Sequence, residues 1–549
     1  MKKIPPILFL LIPIVSFWYL FSKYALNAPL WDDFALIDFV IKLHSQPLSF
    51  VDKLGLFFAQ HNAHRIVYDR VVVYLIYFFS GKLNFVWMMF VGNISLMGLL
   101  LVLYKNLKTS SLNLWYFVPI PFLLLSLQGY ENTFWGMAAL QNYSVLCWVA
   151  AALYCICNNR SLKWAMFFAV LATFTSGNGM FVFIIGTLVL WIQQAKPKAL
   201  MAWLLLGTAS IFLYFWHYNR LPQEVLSAKF IINFFSFLGA AFADGSANYK
   251  IPLGIGLLMF LGITFLFFQD VVFSKNESGK WQISFGQSKL FIYSFIAFLM
   301  VSALLVATSH KEGLPMEETL VSRYKIYAHL LMICLYLLLI ERQKIKQKVL
   351  YGTLIFAVVF NAYAHFQSFE EMAYRRRDAS VSAFNFKYNG SCLMGISHAE
   401  STNKIFHNLD SLGLYKVLET IDLPSKTIAE NLQLETSFFK TKLPYYTPLV
   451  NTVRIENKDL NIDESHADSG SYLVIKSNTK MYLLNAHYNS NGRKGFFTTG
   501  KHYRKGFWFE VHEPLFPADI YTLGVLNITN NKSVLALSKV QVAIKHEPN

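Results

Sequence analysis

Between residues 6 and 368 the chain consists mostly of apolar runs, each about long enough to cross a bilayer, and past that point such runs stop. A helix rises about 1.5 Å per residue, so roughly 20 apolar residues bridge the hydrocarbon core of a membrane. Helices that are apolar on every side have no solvent face, and a water-soluble fold cannot house so many of them. We read spans at 6–22, 84–104, 112–128, 138–157, 163–176, 179–194, 199–217, 251–268, 289–307, 324–341 and 349–367, eleven in all. Composition agrees, with 55% hydrophobic and 15% charged residues against the roughly 25% charged of soluble domains. The expected fold class is therefore an α-helical polytopic membrane protein with about eleven spans and a C-terminal α+β soluble domain. Met1-Lys2-Lys3 leads into the first run without a small-residue cleavage site, which reads as an uncleaved anchor.

Lysine and arginine placement sets the expected orientation. With the N-terminus inside, the inner loops carry Lys105/Lys108, Arg160/Lys163, Lys196/Lys198, Lys275/Lys280/Lys289 and Arg342/Lys344/Lys346/Lys348, opposed only by Glu277 and Glu341. The net charge of +16 is thus first a topology signal. The apolar stretch 66–80 is short and holds Asp69 and Arg70, so we read it as a helix in the outer interface. Counting it as a span would invert every later loop. The apolar segment Lys229–Ala243 reads as a second interfacial or re-entrant element.

Residues 1–370 form the expected membrane domain, with an outer loop at 23–83, and 371–549 form the soluble domain, expected outside. Arg375-Arg376-Arg377 pulls the other way, since basic clusters favour the inner side. Within the soluble part Ile405–Leu418 reads as a helix. The alternating runs 471–475 and 480–484, separated by turn residues, read as strands of a small antiparallel sandwich over the last ~80 residues. Tyr503 to Trp508 reads as a strand of ordinary buried aromatics more readily than as a glycan platform. Cys392 is alone there, so no disulfide within that domain is available.

The orientation gathers the polar clusters on one side. Outside lie Trp31-Asp32-Asp33-Phe34, His61-Asn62-Ala63-His64-Arg65, Glu131-Asn132-Thr133-Phe134-Trp135, Gln141-Asn142, Gly177-Asn178-Gly179, Asp244 to Asn248, and the loop from Ser309 to Tyr324. Ionisable groups beside hydrocarbon are costly and are functional candidates by default. The adjacent pair Asp32/Asp33 stands out, because a carboxylate can take the proton from an attacking hydroxyl. Neighbouring side chains on extended chain diverge, so one is expected to be the base, with preference for Asp33, and the other its orienting partner. The competing structural reading makes Asp33 the cap of a helix beginning at Phe34. The glycines flanking Asn178 predict a tight turn or a close backbone approach.

A first helix, an outer loop opening on an acidic pair, in-plane helices, many further spans and a soluble tail resemble the GT-C superfamily over residues 1–370. Trp31-Asp32-Asp33, His61-Asn62-Ala63-His64-Arg65, Glu131-Asn132 with Trp135, and Ser322-Arg323-Tyr324 are similar to motifs of bacterial membrane glycosyltransferases that act on envelope glycans. The resemblance implies an inverting transfer from a polyprenyl-phosphate-linked sugar to an envelope glycan, lipid or protein acceptor. It also implies a multi-pass inner-membrane protein working toward the periplasm. Arg65 and Arg323, with His61, His64, Lys311 and Tyr324, are then candidates for holding phosphate and donor, guanidinium forks suiting phosphate oxygens. His61 and His64 would share a helical face if that segment were helical. A divalent cation is compatible with them, but no cofactor and no metal site are specified. Glu131, Asn132, Trp135, Gln141, Asn142 and Asn178 have the composition of a sugar or acceptor pocket.

No phosphate-cradling glycine loop is present, which argues against a nucleotide-sugar donor, and nothing points to nucleic acid. A polymerase or ligase of lipid-linked glycans is the nearest alternative. A flippase or transporter would be expected to carry ionisable residues near mid-span and repeated halves. A glycan-binding assembly protein would not need so many spans.

Overall fold

The computed structural model describes residues 5–219, 229–244, 248–275, 281–308, 320–342, 346–391, 399–416, 421–424, 427–428, 432–442, 449–464, 466–529 and 532–544. It divides into two compact units, one of Met1–Phe21, Lys42–Ile76 and Trp87–Ser368, the other of Ser22–Ile41, Tyr77–Val86 and Phe369–Asn549. The change of character near residue 370 is therefore real. However, two segments that take in the ends of the expected outer loop 23–83, Ser22–Ile41 and Tyr77–Val86, belong with the C-terminal unit.

The first unit is helical. Among the described residues eight helices are long and apolar enough to cross a membrane: Pro6–Tyr24, Phe85–Thr109, Gly136–Cys157, Pro197–Phe215, Lys250–Asp270, Gln287–Thr308, Ser322–Ile340 and Lys346–Asn389. Each overlaps one of the eleven expected spans, although the last continues well past the expected end at 367, to Asn389. Two more of the eleven are shorter apolar helices, Leu162–Thr175 and Gly177–Ile192. The expected span 112–128 is not one helix. Its chain runs through short turns at Leu114–Phe117, Pro119–Leu124 and Leu127–Gly129. Pro119 and Pro121 contribute to the interruption, since proline removes a helix donor. The segment read as interfacial at 66–80 is the helix Val67–Ser80, 14 residues long.

Small residues set the packing. Ala165, Ala169 and Ala172 are fully buried on Leu162–Thr175, which packs on Ser144–Cys157; small side chains let helix backbones approach closely. Lys229–Ala243 holds the helix Phe230–Leu238 and a turn at Ala240–Phe242, seated on Lys250–Asp270. There the two backbones nearly touch. A Cβ on Gly239 would lie 2.0 Å from the Pro252 carbonyl oxygen, and one on Gly256 would lie 1.9 Å from that of Phe235. Gly179 likewise leaves no space, 2.0 Å from the Ala172 oxygen, so its motif serves close approach and not positive φ.

The second unit is built on two sheets. One is antiparallel, with Glu435–Thr441 beside Val450–Asn457, then Tyr503–His512, then His487–Ser490. In the other, Met481–Asn485, Gly470–Lys476, Asp519–Thr529 and Lys532–Ile544 run antiparallel, and Thr427–Ile428 adds a parallel edge. Val453, Ile455, Phe507 and Phe509 of the first sheet share one buried core with Leu473, Ile475, Val525 and Val542 of the second. The runs read at 471–475 and 480–484 are strands, but the first does not alternate in burial: Leu473 and Ile475 join one core and Tyr472 and Val474 another. The predicted helix 405–418 starts and ends earlier, at Ala399–Ser411.

Candidate functional site

The acidic pair lies in the second unit, where the chain turns into the helix Asp33–Ser45. Asn27 anchors the approach: its side-chain oxygen accepts the Phe85 N–H at 2.7 Å, and its carbonyl accepts the Tyr415 hydroxyl. Asp33 is fully buried, and one carboxylate oxygen accepts the Leu30 N–H at 3.0 Å. A carboxylate at a helix N-terminus also meets the positive end of the macrodipole. Asp33 thus does the structural work of a cap, from the first helical residue. Asp32 is only half-buried.

Between the turn and the helix, Trp31 has φ of 37°. A bulky residue at positive φ is a real outlier, and such strain collects at functional sites. The ring is half exposed, and the Arg375 guanidinium stands 5.0 Å from its centroid while bonding Glu371 at 2.9 Å. The other two arginines of the basic triplet are also engaged within this unit. Arg376 makes a two-pronged pair with Asp468 at 3.0 and 2.8 Å and reaches the Ala25 carbonyl. Arg377 is buried, bonded to Asn485 and 4.6 Å from the Tyr488 ring centroid. The triplet is a structural element of the C-terminal unit, so the signal it sends about sidedness is weak.

The histidine segment lies in the first unit and is not helical. Gln60–His61 and His64–Arg65 form a two-stranded hairpin in which His61 pairs directly with His64. Asn62 turns the chain at φ 49°, a conformation asparagine tolerates. Arg65 is 5% exposed, and its three guanidinium nitrogens donate to the carbonyls of Tyr214, Phe58 and Trp216. Three of its five N–H donors are thus taken up by backbone carbonyls, a structural duty that the sequence did not show. Arg70 similarly donates to the Phe57 and Ala59 carbonyls. Burial pushes its guanidinium down to about 10 despite neighbouring Asp69.

Glu131 and Arg323 do come together in this unit. The chain from Leu127 to Tyr143 is a series of broken turns ending in a π-helical segment, Ala139–Tyr143. Irregular backbone at membrane depth is tolerated where protein buries it, and π segments often mark functional sites. Ser322 stitches this chain to the next motif, accepting the Glu131 N–H at 3.1 Å and donating to the Gln128 carbonyl at 2.6 Å. The Glu131 carboxylate accepts the Arg323 N–H at 3.1 Å and lies 3.6 Å from its guanidinium. Asn132 is fully buried; it donates to the Arg323 carbonyl and accepts from Asn142, both at 2.8 Å. Arg323 keeps about a third of its side chain exposed, at 33%, with the Tyr324 ring 5.3 Å away.

Four of the expected residues, Glu131, Asn132, Asn142 and Arg323, therefore form one network, with Tyr324 at its edge. Trp135 is buried on the same broken chain. The buried Gln141 side-chain nitrogen has no partner among the described residues. Asn178 stands in a different setting, donating to Ser302 and Tyr327 at 3.0 Å each. Lys311 lies outside the described residues. Among the described residues no three His, Cys, Asp or Glu side chains gather where they could hold a metal ion.

Sequence reading passed over Gln128, Lys325 and His329. Gln128 donates to the Ala241 carbonyl and pairs with His329, both at 3.0 Å, and Lys325 donates to the Ala243 carbonyl at 3.1 Å. The available signal was an ionisable residue inside an apolar run. Trp31 and Arg375 were passed over as a pair because 344 positions separate them.

The chain matches no protein-family model, no curated protein and no solved structure.

Proposed function

We propose that this chain is a membrane glycosyltransferase that moves a sugar from a polyprenyl-phosphate-linked donor to an envelope glycan, lipid or protein acceptor on the outer face of the membrane. Asp32 is the general base. It accepts the proton of the acceptor hydroxyl as that oxygen bonds to the anomeric carbon. The bond from that carbon to the lipid phosphate breaks on the opposite side, and the phosphate leaves with the electron pair, so configuration inverts. Asp33 is the positioning residue, holding the turn from inside. Within the first unit, Arg323 is the candidate cation for a phosphate, since a third of its side chain stays exposed beside Glu131.

The observation that carries this reading is the Trp31-Asp32 turn. A half-accessible carboxylate follows a tryptophan held at positive φ beside Arg375, and such a conformation persists only where the surroundings enforce it. The absence of a nucleotide-binding glycine loop supports a lipid-linked donor. One observation favours a second reading, a lipid-linked glycan flippase. His329 is fully buried within a helix of membrane length and is joined through Gln128 to the turn that carries Glu131, as a proton pathway would need.

The test replaces Asp32 and Asp33 singly by Asn in the native host, with envelope glycans and lipid-linked sugars profiled by mass spectrometry. Asp32→Asn should remove one sugar modification and accumulate a polyprenyl-phosphate sugar at normal protein level. Unchanged glycans in that strain would end the assignment of Asp32 as base. A lipid-linked glycan trapped on the inner leaflet, with transfer intact in permeabilised cells, would favour the flippase.

A further inference from the structure

A groove of about 740 Å³ opens along the helices Phe85–Thr109, Ser144–Cys157 and Leu162–Thr175 of the first unit. Its walls are apolar for most of their length. Gly98 leaves one wall low, with a Cβ there meeting the Cys147 sulfur at 2.8 Å. Trp148 stacks on Phe168 at 5.8 Å and 8° to form another wall. At one end the lining changes to Lys105, Lys108 and Arg160, all exposed. These follow Val102 on one helix and Tyr154 and Cys155 on the other, so the cations close the same end of both helices. Among the described residues that line the groove none is a carboxylate. The indole N–H of Trp148 is buried, with no acceptor among the described residues.

An apolar trough between membrane-length helices with three cations at one mouth has the profile of a lipid seat. An acyl chain would fit along Leu101, Ala151 and Phe168 with its phosphate among the cations, and an ester carbonyl is in the right chemical class to accept the Trp148 N–H. Basic pockets between spans hold anionic head groups. A zwitterionic lipid would bring an ammonium group into the same three-cation field.

We propose that this groove binds one anionic phospholipid of the bilayer, with its phosphate held by Lys105, Lys108 and Arg160. The site is separate from the glycosyl-transfer reading and does not depend on it.

The test uses the full chain in detergent, examined by native mass spectrometry with phosphatidylglycerol or phosphatidylcholine of identical acyl chains added at equal concentration. One phosphatidylglycerol per chain should be retained at about tenfold higher occupancy or more. The variant K105A/K108A/R160A should erase that preference. K196A/K198A, which removes inner-loop lysines outside the groove, should keep it, and Ala151→Phe should lower retention of both lipids by filling the trough. Wild-type competition needs no variant, so misfolding of one cannot mask the answer. Equal retention of the two lipids by wild type would overturn the proposal, as would an unchanged preference in the triple variant. Displacement by polyprenyl phosphate at equimolar dose would also overturn it, because the groove would then be a donor-lipid site. Displacement by millimolar inorganic phosphate alone would mean that only free anion is held.

Discussion

Arg65 shows how far one side chain can depart from the chemistry its type suggests. An arginine after two histidines in a membrane loop reads as a phosphate ligand, yet its guanidinium closes three backbone carbonyls. Removing it leaves those carbonyls short of donors, at about 1–3 kcal/mol for each one that water cannot reach. Arg65→Ala should therefore lower the thermal midpoint of the purified protein by several degrees, measured in detergent, with Arg65→Lys recovering little because one ammonium cannot span three directions. A phosphate-binding role would instead leave the midpoint in place and weaken donor binding. Asp33 follows the same logic. Asp33→Asn should reduce protein level, read by immunoblot, while Asp32→Asn leaves the level unchanged and stops transfer. Glu131→Gln keeps an acceptor for the Arg323 N–H but loses the charge, and should raise the apparent KM for donor more than it lowers kcat. The motif residues were visible in sequence because rare polar groups stand out in an apolar chain. Their duties were not visible, because a duty depends on partners such as Tyr214 and Trp216, about 150 positions away.

Among the elements, the helix pair Phe230–Leu238 and Lys250–Asp270 offers a sharp contrast between glycines. Gly256 abuts a backbone oxygen that cannot rotate away, whereas Gly254, two positions earlier, has nothing within 4 Å. Gly256→Ala should push the helices apart and cut the yield of folded protein several-fold. Gly254→Ala should be neutral or stabilise by up to about 1 kcal/mol through helix propensity; size-exclusion yield and thermal midpoint separate the two. In the β unit, Tyr374, His487, Trp508 and Arg454 stack in sequence, with ring centroids 4.7 Å and then 4.2 Å apart and the guanidinium 4.2 Å from Trp508. Burial lowers the affinity of His487 for a proton, although Glu510 pulls the other way. Above the ordinary histidine value of about 6.5 both folded and unfolded forms are neutral and stability is level. As pH falls below it, the unfolded chain takes up the proton first, so stability is lost toward acid. Hydrogen exchange across Tyr503–His512, normalised for intrinsic pH dependence, should show protection falling between pH 7 and 5. His487→Gln should remove part of that fall.

For the whole molecule, topology is the property most open to direct measurement. A reporter fused after Gln194 should behave as cytoplasmic and one fused at the C-terminus as external, if the lysine and arginine bias of the loops governs insertion. A cytoplasmic C-terminal reporter would invert the assignment of the acidic pair to the outer face, because the pair belongs to the same unit as the C-terminus. Hydrophobic runs long enough to span a bilayer are written residue by residue, so the membrane class, most of the span positions and the change of character near residue 370 follow from the sequence itself. The strands at Gly470–Lys476 and Met481–Asn485 follow too, since short apolar runs rich in β-branched and aromatic residues, set between turn residues, are a local signal. What only the tertiary structure decided is assignment between neighbours. It broke the expected span 112–128 into turns held by Ser126 and Ser322, and moved 22–41 and 77–86 into the C-terminal unit. It also turned two histidines from helical neighbours into a cross-strand pair, and put Trp31 under Arg375. Periodicity records which side of an element is apolar but not which distant element meets it. The acidic pair was legible as an anomaly from its cost beside hydrocarbon, while the burial of Asp33 and the partial exposure of Asp32 needed the fold, because burial is a property of the surroundings.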